Sequence, residues 1–119
     1  MLLADTSVWI HHFRYGDAEL TSALSEGLVF MHPFVSGELA CGNLKDRAGV
    51  MADLGDLQVA VVASSEEVLE LIERRKLWGR GLGWIDMHLL ASALLSSCAL
   101  WTLDKKLGEA ARELRCGWR

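Results

Sequence analysis

The sequence has little of what staples or punctuates a chain. It holds one proline and three cysteines. Cys41, Cys98 and Cys116 are odd in number with no C-x-x-C spacing, which argues against a disulfide framework and against a cysteine-built zinc site. The thiols are expected to be reduced and mostly packed. No internal repeat, low-complexity tract or Pro/Gly/Ser linker interrupts the 119 residues, so residues 1–119 are read as a single domain. Basic charge is also scarce. Twelve Lys and Arg stand against sixteen Asp and Glu, a net charge of −4, without the strongly basic footprint usual in nucleic-acid binders. Long apolar runs are missing too. The most apolar stretch, residues 84–103, is broken by Asp86, His88 and several serines, and the first residues carry neither a basic leader nor a long apolar segment. The expectation is a cytoplasmic protein that neither spans a membrane nor is secreted.

What is present is a globular composition, about half hydrophobic and a quarter charged, enough for one sizeable core. Short apolar runs at residues 2–4, 28–31, 58–62 and 99–103 have the character of strands covered on both faces. Helical patterns lie between them, at residues 17–26, 34–44 (opened by Pro33), 46–57, 65–78, 85–96 and 105–114. In residues 65–78, Ser65 is the expected cap, Glu66 and Glu67 sit in the first turn, and Arg74, Arg75 and Lys76 favour the far end. Strands alternating with helices mean an α/β fold around a mostly parallel sheet. Ligands in such folds sit outside the carboxyl ends of the strands.

Two apolar strands run into aspartate there. "LLADTSVWI" gives Asp5, and "LWTLDKKL" gives Asp104. Asp86, in "GWIDMHLL", falls in the first turn of an otherwise apolar helix, and Glu38, in "VSGELACG", lies in a short helix of small and apolar residues. Each has an ordinary reading: Asp86 as a first-turn acid, Asp104 as a helix cap, Glu38 as a solvated helical side chain. Asp5 is hardest to explain so, because no glycine or proline makes "DTS" a simple turn. Carboxylates gathered together raise one another's pKa unless a cation joins them. Oxygen ligands without convergent His or Cys favour Mg²⁺ or Mn²⁺, ions that serve phosphoryl chemistry. Thr6, Ser7 and Thr102 are placed to orient the carboxylates or a water by hydrogen bonds.

With these four stretches in this order, the sequence resembles the PIN-domain ribonucleases, and more narrowly the VapC toxins of toxin–antitoxin pairs. "LLADTSVWI" matches the opening strand and first acid, "VSGELACG" the glutamate helix, "GWIDMHLLASALL" the third acid, and "LWTLDKKL" the last strand and fourth acid. The resemblance covers nearly the whole chain. It implies a PIN-like three-layer sandwich with a mostly parallel central sheet flanked by helices, in which Asp5, Glu38, Asp86 and Asp104 form an acidic pocket for Mg²⁺ or Mn²⁺. Asp5 and Asp86 would be direct ligands, with Glu38 and Asp104 acting through water or a second ion. It further implies metal-dependent cleavage of structured RNA, often transfer RNA, a homodimer, and neutralisation by a cognate antitoxin.

Lys105, Lys106 and Arg80 are candidate RNA contacts, with Lys45, Arg47 and the Arg74–Lys76 run behind them; ordinary solvated helix ends are the competing reading. "GRGLGW", residues 79–84, lacks nucleotide-loop spacing and is expected to be a flexible approach to Asp86. Of five tryptophans, Trp84 is the one placed to meet RNA, while Trp9 and Trp101 are expected in the core or an interface. Cys41 and Cys98 are expected to be packed, and the four histidines show no metal spacing. Two other functions fit parts of the pattern: a non-catalytic PIN-like binding module or stand-alone nuclease, and a phospho-receiver domain. The last would want an acceptor aspartate after residues 58–62, where Ala63 and Ser64 stand instead.

Overall fold

Leu2, Leu3 and Ala4 make the central strand β1 (Leu2–Ala4), buried at every position. A strand covered on both faces has no room for polar alternation, which is why this run is apolar throughout. The computed structural model describes residues 1–119. β2 (Val29–Phe30) and β3 (Ala99–Trp101) pair with β1 on either side, all parallel, in the order β2-β1-β3. Leu2 lies opposite Val29 and Ala99, Leu3 opposite Phe30 and Leu100, and Ala4 opposite Trp101.

Helices α1 (Thr6–Tyr15) and α2 (Ala18–Ser25) join β1 to β2. The longer return to β3 runs through α3 (Pro33–Cys41), α4 (Arg47–Gly55), α5 (Ser65–Arg75) and α6 (Trp84–Leu95), and α7 (Lys105–Glu113) follows β3. The chain winds outward from β1 in one direction and comes back past it in the other. Right-handed crossovers therefore cover opposite faces of the sheet, and the reversal leaves a crevice between the carboxyl ends of β1 and β3. α6 lies against β1, β3 and α5, which explains why it is apolar all round and buried from Met87 to Ala93. One cluster of 28 buried apolar residues holds the elements together. No helix is long and apolar enough to cross a membrane.

The α/β architecture with a parallel sheet flanked by helices is as expected, with local differences. Residues 6–15 carried no clear helical pattern, yet they form α1, because Asp5 caps the first turn and Val8 and Trp9 are drawn into the core. The expected strand at residues 58–62 shrinks to one parallel bridge between Met31 and Val59. Its ladder stops because α6 takes the next backbone groups: Ser96 Oγ accepts from Val61 N at 2.8 Å, and Ser92 Oγ donates to Val61 O. The last strand ends at Trp101, two residues short of the expected end. The α5 cap is Ser64 in place of Ser65, in a reciprocal box with Glu67 (3.1 and 2.9 Å). Cys98 and Cys116 are buried, but Cys41 is exposed, since it falls on the outer side of the last turn of α3.

Candidate active site

Each strand passes straight into the N-terminus of a helix at the carboxyl edge. Asp5 follows β1 and caps α1, its Oδ1 accepting from Val8 N at 3.3 Å. Asp104 follows β3 and caps α7, accepting from Leu107 N at 2.8 Å. The capping reading of Asp104 is therefore correct as far as it goes. It does not exclude a second role, because one carboxylate oxygen is left over.

Asp5 is buried, with only 7% of its surface exposed, and a buried carboxylate must be hydrogen-bonded. Ser7 Oγ donates to its Oδ1 and Thr102 Oγ1 to its Oδ2. Those hydroxyls are themselves fixed, since Ser7 Oγ accepts from Leu103 N and Thr102 Oγ1 accepts from Asp104 N, both at 3.0 Å. The two strand exits are thus tied through side chains. Thr6, on the next residue of α1, reaches across to α3 and donates to Glu38 Oε1 at 2.7 Å. The three hydroxyls thus donate to two carboxylates, Thr6 to Glu38 and Ser7 and Thr102 to Asp5.

Asp86 completes the group from α6. Its Oδ2 accepts from Gly83 N at 2.9 Å, closing the first turn. It is half-buried, and burial pushes its carboxyl pKa above the usual aspartate range; the Gly83 bond opposes this, and the charges of Asp104 and Asp5 add to the rise. None of Asp5, Glu38, Asp86 or Asp104 has a cationic side chain within ion-pair distance. The negative charge is uncompensated.

An all-oxygen donor set with unpaired negative charge fits a hard divalent cation. No three of these acids close on one point tightly enough to form a protein cage. Mg²⁺ does not need one, since it is commonly held by one or two carboxylates and keeps several waters.

The match to the PIN-domain model runs over residues 2–113. The chain is a PIN-domain protein of the VapC type. It is 47% identical over 114 residues to the protein named Ribonuclease VapC32 in Mycobacterium tuberculosis, in strain CDC 1551 / Oshkosh and in strain ATCC 25618 / H37Rv, covering 95% of this chain and 92% of the relative. The crystal structure of PAE2754 from Pyrobaculum aerophilum superposes with a TM-score of 0.58, covering 91% of this chain and 77% of that one, at 18% identity. That likeness concerns the fold alone.

Around the acids of this PIN domain, the other candidate residues have particular surroundings. Lys105 is exposed in the first turn of α7. Lys106 lies across the loop before α6: Gly81, at φ +78°, leaves space that a Cβ would contest with the Lys106 chain at 2.6 to 2.9 Å. The glycine is needed for its left-handed backbone, whereas the flexible end of the Lys106 chain could move aside. Arg80 finds an intramolecular partner, Glu113, through a two-pronged contact of 2.7 and 2.8 Å, so the expected flexible loop is pinned to α7 through this pair. Trp84 is 44% exposed and sets an edge against His88 at 4.8 Å.

Sequence reasoning missed what lies behind α3 and α6. His32, Phe34, His88 and Trp84 form a chain of rings 4.7 to 6.4 Å apart. His32 caps α3 by accepting from Phe34 N at 3.0 Å, and burial, then the neighbouring His88, lower its pKa to about 4. Its position just before Pro33 was the available signal for the cap.

Proposed function

We propose that this protein is a divalent-metal-dependent endoribonuclease that cleaves structured RNA, transfer RNA being the favoured class, as the toxin of a toxin–antitoxin pair. The observation that carries this reading is the uncompensated acid group at the crevice between β1 and β3, at the site where this fold binds ligands. The relative's name, Ribonuclease VapC32, supports the activity. Asp5 and Asp86 would hold Mg²⁺ or Mn²⁺ directly, with Glu38 and Asp104 acting through water or a second ion. Such an ion, when bound, lowers the pKa of water and neutralises phosphate charge.

The chain's own contribution is rigidity and charge. Ser7 and Thr102 hold both Asp5 oxygens, so its orientation is fixed before any ligand arrives. Thr6 holds one oxygen of Glu38 and leaves the other free. Burial holds the Asp86 carboxyl pKa above the usual aspartate range, a cost that a cation bound there would offset. Lys105, Lys106 and Trp84 border the group as contacts for the RNA backbone or an unpaired base; Arg80 serves through its loop. A homodimer in the cytoplasm, silenced by a protein antitoxin, completes the proposal.

The test is cleavage of a transfer-RNA pool by the wild type and Asp5→Asn, each with Mg²⁺ and with a chelator. Asparagine caps a helix as well as aspartate, so the variant is expected to fold and to lose roughly a thousandfold or more of the rate. Wild-type cleavage by Asp5→Asn, or undiminished cleavage in chelator, would overturn the proposal. A PIN-like binding module without activity would bind RNA and cut it under neither condition.

A further inference from the structure

A recess of about 510 Å³ opens beside Glu38, between α1 and the chain that follows α3. That volume lies in the range of small-molecule sites, roughly 300 to 1,000 Å³. Ile10, Phe13 and Leu44 give it apolar walls, and Arg14 and Lys45 stand among its lining residues. Phe13 is backed by Trp9, ring centroids 5.9 Å apart, and is 39% exposed, which leaves aromatic surface for a guest. Both cations are exposed, and neither is paired with a carboxylate. Two exposed, unpaired cations thus share the lining of one recess with an aromatic side chain and a proposed catalytic acid.

We propose that this recess seats one unpaired nucleotide of the RNA, its base stacked on Phe13 and its flanking phosphates between Arg14 and Lys45. Glu38 belongs both to the recess and, through Thr6, to the acid group. A nucleotide anchored there holds the chain beside the acids, and only an unpaired base can reach an aromatic face in this way. Selection of loops over duplex follows. The inference rests on the ribonuclease reading of the site.

The test is binding of a fluorescent single-stranded oligoribonucleotide to Asp5→Asn protein, which separates binding from cleavage, with Phe13→Ala, Phe13→Tyr, Arg14→Gln and Lys45→Gln added singly. Phe13→Ala is expected to weaken binding about tenfold or more, and Phe13→Tyr to retain it. Each cation variant is expected to reduce the salt dependence of binding by about one phosphate contact. Should Phe13→Ala fail to fold, the tyrosine and glutamine variants still decide the matter. Unchanged affinity and unchanged salt slopes would overturn the proposal and leave the recess to a polypeptide. If the recess variants weaken RNA binding while the wild type cuts no RNA, the ribonuclease reading fails and the recess stands. If the wild type cuts RNA and the variants bind it normally, the reverse holds.

Discussion

The two ends of the sheet are built from opposite devices. At the amino end, α2, α6 and α7 all finish in the same turn before the chain enters the sheet. Leu28 N bonds back to Ala23 O, Cys98 N to Ala93 O and Cys116 N to Ala111 O, at 3.0, 3.0 and 2.9 Å. The preceding residues, Gly27, Ser97 and Arg115, sit at φ +70°, +50° and +61°. These closures satisfy the last carbonyls of each helix internally. At the carboxyl end, the exits from β1, β2 and β3 lead to Asp5, His32 and Asp104 as caps of α1, α3 and α7. Three helix N-termini, each with partial positive charge, point towards that edge and ease the gathering of carboxylates there. One end is sealed for stability. The other keeps its carboxylates free of side-chain ion pairs.

Changes at the carboxyl end should lower activity while sparing or raising stability. Asp86→Asn is the sharpest case. The Asp86 pKa is raised in the fold, so the unfolded chain ionises first as pH climbs, and the ionised residue costs stability above the ordinary aspartate range. Without divalent metal, Asp86→Asn is expected to melt above the wild type at pH 7, with the advantage vanishing below the usual aspartate pKa, while RNA cleavage falls by orders of magnitude. Thermal melts from pH 3 to 7, paired with cleavage rates, check this; a variant less stable at neutral pH contradicts it.

Changes at the amino end should do the reverse. Ser97→Gly and Arg115→Gly relieve left-handed strain and are each expected to stabilise by about 0.5 to 1 kcal/mol in denaturant titrations, with cleavage unchanged. The smallest effect belongs to the pinned loop. Arg80→Ala and Glu113→Ala remove the same solvent-screened ion pair and are expected to shift the melting temperature only slightly, equally and non-additively. If Arg80→Ala alone flattened the salt dependence of RNA binding, Arg80 would be a phosphate contact after all.

The sequence made some of this legible because the signals were local. An apolar triplet ending in Asp5 marks a buried strand and its exit, and the same pattern repeats at Asp104. The parallel sheet followed from the alternation of short runs with helical stripes. Other features depended on distant partners. Nothing within residues 58–62 shows that Ser92 of α6 and Ser96, which follows its last residue, will replace a strand ladder at Val61. Nothing near Arg80 shows Glu113, 33 residues away, and α1 was obscured by a β-branched, histidine-rich run that only the Asp5 cap and the burial of Trp9 make helical. The four acids stand out in the sequence as candidates, whereas which hydroxyl bonds which carboxylate is seen only in three dimensions.

The most direct measurement is calorimetric titration of Mn²⁺ into wild-type protein, Asp5→Asn and Asp86→Asn, each shown to be folded. The expected result is saturable binding to the wild type that either substitution weakens severely. Equal binding by all three, or none by the wild type, would contradict a metal site at the carboxyl edge.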